Sequence, residues 1–453
     1  MIAINDDDLT FTFPEIASQV RELFEKHVQS TLPNLLLPAD RAELVEGLQA
    51  SLRQRHATWE LRSDDEDTYE APIGRKPDGS RILSLGSPWD DPYEALMETA
   101  KSLTPADVEA ALRKVTEKND CLKDNLATLT IGFQRTLRIP DDGTIYPLPA
   151  GLGSFPLRSV DDYADTVPET WTKRGGVVMP MYQSEALWLS FSSRYPFAVK
   201  IGSGKINAVS GEAWKSDLQG EPQDYVVVPE QPWLDGFSVG EGLIRQFVAM
   251  PLGSGFSVEE QLTGKADVGG MQFQVYPMRA ESYFREEIAD SIPSTLEELL
   301  PQLFAKHLVP VQQHKCYAKA KCMGLGAGGR MRQEIYEDPY EFGVWDRSQT
   351  KRCFVHLCNS MDWRQITGTN PPHPPLTTEE YKDAGIPWFD YYRDDQKPLK
   401  GSKRLAGVKS VAQLGKKKKC QPFPDDTPAT PELIIQYGNT RRPEEIREFL
   451  DTP

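Results

Sequence analysis

Between residues 182 and 261 the chain gathers Tyr182, Gln183, Glu185, Trp188, Glu230, Trp233, Asp235, Glu241, Glu259 and Glu260. Two carboxylates facing one another across a cleft can divide general-acid and general-base work when burial raises one of their pKa values. Glu185, Glu230, Asp235 and Glu241 are the candidates for such a catalytic pair. Tyr182, Trp188, Trp233 and Glu260 are candidates for a binding surface, because aromatic rings beside carboxylates suit a sugar. That makes a glycan or ester hydrolase one reading. The plainer account is that carboxylates occupy turns between strands while the tryptophans fill the core.

A second constellation is made of sulfur and imidazole. His314, Cys316 and Cys322 precede Cys353, His356 and Cys358, so a zinc site drawn from His314, Cys316, Cys322, His356 and Cys358 is a further alternative. Two features count against it. No CxxC pair is present, and a strand over residues 352–358 would turn Cys353 to one face and His356 and Cys358 to the other. Free cysteines acting as small hydrophobes are the simpler expectation.

Residues 324–329, GLGAGG, match GxGxxG formally, but the lysine-bearing HKCYAKAKCM before them is not the apolar strand a dinucleotide fingerprint requires. A flexible or tightly packed loop is expected there instead. Gly202, Gly204 and Lys205 fail as a phosphate loop, because Ile206 stands where Ser or Thr would ligate magnesium. Neither GxSxG nor HExxH occurs. No cofactor is expected.

Charge is distributed unevenly. Of the net charge of −16, residues 1–120 supply −11, from 24 acidic and 13 basic side chains. Residues 396–424 hold no acid and nine cations, among them Lys403, Arg404, Lys416, Lys417, Lys418 and Lys419. The reversal suggests a disordered basic segment, spaced like a bipartite nuclear-import signal if the host is eukaryotic, or able to pair with the acidic N-terminal region of this chain or of a second copy. A homo-oligomer joined in that way is the expected partner. The overall negative charge disfavours nucleic acid. No apolar run approaches 18 residues and no basic–apolar leader opens the chain, so the expectation is a soluble protein outside the membrane, cytoplasmic or, with that signal, nuclear. Six unevenly spaced cysteines fit a reducing compartment.

The elements that must position these residues can be read from periodicity. Ile16, Val20, Leu23, Phe24 and His27 form one stripe of a helix opened by Pro14, and Leu44, Val45, Leu48 and Leu52 mark a second helix after Pro38. Thr104, Pro105 and Asp107 give the start of a third. Residues 63–80 between them read as a mobile loop. From 125 onward short apolar runs at 186–191, 197–201, 225–228 and 247–250 predict strands, and Met271, Phe273 and Val275 alternate as in a strand with one covered face. Eight glycines across 236–270 exclude a long helix there. A capping box at Ser294–Glu297, a strand at 352–358 and short helices at 378–384 and 443–450 complete the pattern. The class is α+β, with an acidic helical region (1–124), a β-rich core (125–280), a mixed continuation (281–395), the basic segment (396–424) and a tail with a short helix (425–453).

Within the core, PMYQSEALWLSF (180–191), GKINAVSGEAW (204–214), VVVPEQPWLDG (226–236) and EEQLTGKADVGGMQFQVYPM (259–278) follow in succession. The similarity runs on through MGLGAGGRMRQEIYEDPY (323–340) and GIPWFDYY (385–392). This succession resembles a group of bacterial and fungal proteins of no assigned activity. The resemblance covers about residues 130–395 and implies no catalytic residues, so the reading rests on the residues themselves. The expectation is a soluble, non-catalytic binding or self-assembling protein. A carboxylate-dependent hydrolase and a metal-binding protein are the alternatives, and whether the chain is an enzyme stays open on sequence.

Overall fold

The computed structural model describes residues 1–35, 41–56, 60–61, 69–75, 81–86, 101–102, 104–117, 125–289, 292, 321–391, 396–419, 431 and 433–437. The chain divides into two compact units. Residues 1–13, 127–279 and 313–453 form one, and 14–126 with 280–312 form the other. The architecture is β-rich α+β.

The first unit is built on a sheet of 17 strands. Its first strands, β1 (Ile2–Ile4) and β2 (Asp8–Thr12), are an antiparallel hairpin, so the helical expectation for the N-terminus does not hold for these residues. Leu9, Phe11 and Phe13 alternate into the core, which outweighs the polarity of Asp6, Asp7 and Asp8. β2 pairs with β3 (Thr128–Thr136), whose other edge takes β4 (Ala186–Ser192). β4 in turn meets β6 (Leu243–Pro251), and β6 pairs with β8 (Lys321–Arg332). The path continues through β9 (Lys351–Asn359) to β7 (Met271–Pro277), which pairs with β5 (Phe197–Ser203). Phe133 of β3 and Phe273 of β7 are not ladder neighbours, yet their rings meet edge-on at 5.6 Å. The sheet therefore wraps around a shared interior.

That wrapping explains one departure from the pattern. β7 alternates in sequence, but every residue of it is buried. The face expected to be wet carries Gln272 and Gln274, which donate to Gly204 O and to Ser216 O at 2.9 Å. Hydrogen bonding to loop carbonyls is what lets these amides be covered.

The glycine run 324–329 lies inside β8 and is not a loop. A Cβ on Gly326 would stand 2.8 Å from Val411 Cγ2, so the missing side chain admits a neighbouring helix. That helix comes from the basic segment. Residues 396–419 are folded: α1 (Lys403–Ala406) and α2 (Val411–Lys418) start at Ser402 and Ser410, each accepting a backbone N–H in a cap. Leu405, Val408, Val411 and Leu414 are buried, the last two in a cluster with Ala186, Val248, Met250 and Phe256. The charge reversal hid an apolar stripe, and burial of that stripe outweighs the lysines.

The second unit holds the expected helices over Pro14–Leu35, Arg41–His56 and Pro105–Glu117. Ile16, Val20, Phe24 and Val28 line the buried stripe of the first. Thr104 and Asp107 exchange hydrogen bonds at the start of the third. Residues 63–80 are not a simple loop, because Tyr69–Arg75 pairs antiparallel with Arg81–Gly86. The helices expected after Ser294 and at 443–450 lie outside the described residues.

Candidate functional site

The structure separates the four candidate carboxylates. Glu241 is exposed in the turn before β6. Since Ala186 pairs with Val248, that turn is five residues of strand, about 17 Å, from the start of β4. Glu230 is half-buried and accepts Gln396 Nε2 at 3.3 Å. Asp235 is wholly buried and forms a reciprocal pair with Gln333, accepting Nε2 at 2.8 Å while its own N–H donates to Gln333 Oε1 at 3.0 Å. Glu185 lines a cavity of about 410 Å³, and the other three are not on its lining.

The binding candidates also part company. Trp188 and Trp233 are core residues that meet edge-on at 6.3 Å, and Trp233 further packs on Tyr391. Glu260 completes a capping box with Ser257 at the start of the helix Val258–Thr263. Tyr182 lines the same cavity as Glu185.

Glu185 sits at the end of a tight turn, closed by its N–H donating to Tyr182 O at 3.1 Å. Ser184 holds the third position at a φ of +64°, a left-handed conformation that costs a non-glycine residue about 1–2 kcal/mol. Two groups hold the turn. Tyr182 N–H donates to Glu185 Oε2 at 2.8 Å, and Arg135 Nε donates to Oε1 at 2.7 Å, with Arg135 Nη2 on the same oxygen. Arg135 stands on β3 directly across from Leu187 and is buried too, though less completely than Glu185. Burial pushes the Glu185 carboxyl above the usual carboxylate range, and Arg135 opposes the shift. Burial also raises the Tyr182 phenol.

The roof of the cavity is a proline arch. Pro371, Pro372, Pro374 and Pro375 follow a helix, Trp363–Thr367, that ends at Gly368, and they precede the N-cap Thr377 of the helix Thr378–Asp383. Prolines fix φ and push the preceding residues to extended conformations, so the segment is stiff. Two of its carbonyls are gripped from below: Tyr182 Oη donates to Pro372 O at 2.6 Å, and Arg135 Nη2 to His373 O at 2.8 Å. The lining is completed by Leu137, Ala186, Asn359, Met361 and Leu376 among others, and Met361 and Leu376 are exposed at the mouth. Sequence reasoning named Tyr182 and Glu185 but not Arg135 or the arch. The run NPPHPP was the available signal.

For the sulfur–imidazole cluster, His314 and Cys316 lie outside the described residues, and so does the side chain of Cys322. Among the described residues no three His, Cys, Asp or Glu side chains gather as a metal site. His356 lies flat between Trp171, at 4.8 Å, and Phe354, and its Nε2 is 2.9 Å from Gly175 O. Burial lowers its pKa to about 4. Cys358 packs in a cluster with Val178 and Trp363, and burial pushes the Cys353 thiol up to about 12.

The basic side chains frame a wider groove of about 720 Å³. Lys397 pairs with Glu337 and Arg404 with Glu212, each at 2.5 Å, while Lys400 and Lys403 are exposed on its wall. The pairing partners belong to the β-rich unit itself. Lys416, Lys417, Lys418 and Lys419 are exposed at the end of α2, with Lys418 over the Phe256 ring at 4.6 Å.

No protein-family model, curated protein or solved structure matches the chain. No helix among the described residues is long and apolar enough to cross a membrane.

Proposed function

We propose that the chain is a non-catalytic binding protein whose ligand seat is the cavity under the proline arch. The observation that carries this reading is the state of Glu185. Among the described residues it is the one acidic side chain on the lining, and both its oxygens are engaged, by Arg135 and by the Tyr182 N–H. Paired-carboxylate hydrolysis needs a second carboxyl about 5–10 Å across the same cleft, and Glu230, Asp235 and Glu241 do not line it. A carboxylate locked in an ion pair stiffens a pocket better than it shuttles protons. The volume lies within the range of small-molecule sites, about 300–1,000 Å³.

The test is a thermal-shift screen of small uncharged molecules on the wild type and on Leu376→Trp, which fills the mouth. Stabilisers that lose their effect in the variant are expected. Turnover of nitrophenyl esters or glycosides that disappears in Glu185→Gln would replace the binding reading with the hydrolase one.

A further inference from the structure

The polar groups left over on the cavity lining narrow the ligand. Among the described residues, most polar side chains there already have partners: Tyr182 Oη donates to Pro372 O, Thr136 Oγ1 to Ala150 O and Thr377 Oγ1 to Glu380. The charges are also engaged, Glu185 by Arg135 and Arg138 by a partner of its own. Two carboxamides and the Thr378 hydroxyl remain. Gln183 makes no side-chain hydrogen bond among the described residues. Asn359 uses its Oδ1 to accept the Met361 N–H at 3.0 Å and keeps both Nδ2 protons.

These two amides stand at the ends of adjacent parallel strands, since Met181 pairs in register with Asn359 and Gln183 follows two residues on. Together they offer several N–H donors and one carbonyl acceptor with no net charge. Around them the walls are apolar: Leu137, Ala186, Met361, Pro374, Pro375 and Leu376. Proline rings are flat and rigid, and a methionine side chain adapts to an aromatic face. A pocket with apolar walls and a mixed donor–acceptor edge fits a flat ring that carries ring nitrogens and carbonyls. Side-chain amides read such edges in a bidentate manner.

We infer that the cavity binds an uncharged nucleobase-type heterocycle, at the size of a base or nucleoside, with Gln183 and Asn359 reading its edge. This inference rests on the binding function proposed above and adds the ligand class. Ions are disfavoured because no unpaired charge waits for them on the lining, and a purely apolar chain would leave both amides without partners.

The experiment is titration calorimetry of the full chain with adenosine, guanosine, cytidine and uridine, and with decanoate and maltose as contrasting probes. At least one nucleoside is expected to bind, tenfold or more weaker in Gln183→Ala and in Asn359→Leu, with unfolding midpoints unchanged. Lys400→Ala, in the separate groove, serves as the unaffected control. Decanoate binding that is lost in Leu376→Trp but indifferent to both amide substitutions would overturn the ligand class and leave the cavity as a binding site. Maltose binding alone would overturn the class in the same way. Failure of every probe, or binding indifferent to Leu376→Trp, would overturn both. Should an amide variant prove unstable, Gln183→Glu supplies the second arm: the new charge is expected to abolish nucleoside binding.

Discussion

Glu185 and Glu259 are equally hidden, each about 1% exposed, and the fold holds them by opposite means. Glu185 is met by a guanidinium and fronts a cavity. Among the described residues no counter-ion is in contact with Glu259. It accepts the backbone N–H groups of Lys205 at 3.1 Å and Gly269 at 2.8 Å, and it ties the turn after β5 to the loop before β7. Gly204 leaves the space for it: at φ +55° a Cβ would lie 2.2 Å from the carboxylate oxygen. Burial raises both carboxyls. Backbone dipoles are enough where the carboxylate only fastens loops, whereas a counter-ion is found where the carboxylate borders open space. The first arrangement is structural, and the second leaves Glu185 on the lining of a cavity.

The largest effect that separates the two is expected from Arg135→Ala. It strands Glu185 as an unpaired buried charge, and destabilisation of about 3–5 kcal/mol at pH 7 is expected in urea unfolding. A carboxyl with a raised native pKa contributes stability below its ordinary value and loses it as pH rises through the native value. Removing Arg135 raises that native value further, so the deficit should shrink between pH 7 and pH 5. A deficit independent of pH would mean that Arg135 acts through the arch carbonyl at His373 and not through the charge.

His356 provides the opposite sign in the same experiment. It is a buried base kept neutral, with a native pKa of about 4. Such a group contributes its stability above the unfolded value near 6.5 and loses it as pH falls toward 4, a change of about 3 kcal/mol in total. The slope over pH 4–6.5 should be absent in His356→Phe, which keeps the stack on Trp171. The fluorescence of Trp171 should follow the same transition in the wild type and not in the variant. An unchanged slope in the variant would assign acid sensitivity elsewhere.

How far these sites could be read beforehand depended on which signal was strongest. The apolar runs at 186–191 and 247–250 announced strands, which the structure extends to 186–192 and 243–251; the second was read short because Arg245 and Gln246 interrupt its apolar character. The hairpin at Asp8–Thr12 was obscured by three aspartates, although Leu9, Phe11 and Phe13 alternate plainly. In the basic segment Leu405, Val408, Val411 and Leu414 recur every three residues, and the lysines between them dominated the composition. Glu185 was legible as a candidate because its residue type carries chemistry. Arg135 was not, since a lone arginine in a strand gains meaning only from the register that sets it across from Leu187. The arch was written in four prolines, but which carbonyls they present and what grips them are tertiary facts.

Two smaller perturbations sharpen the account of Glu259. Gly204→Ala meets both a left-handed φ and the carboxylate, and about 2 kcal/mol of destabilisation is expected in urea. The smallest effect is expected from Ser257→Ala. Ser257 caps the helix that carries Glu259, accepting the Glu260 N–H at 3.2 Å and forming a capping box with Glu260. Loss of such a cap costs about 1 kcal/mol. Because the carboxylate is held by N–H groups of two other segments and not by its own helix start, the cap should matter for the helix and leave the Glu259 contribution intact. The pH dependence of Ser257→Ala should therefore run parallel to that of the wild type between pH 4 and pH 8. A variant that instead diverges with pH would show that the helix start, as well as the loop dipoles, sets the charge state of Glu259.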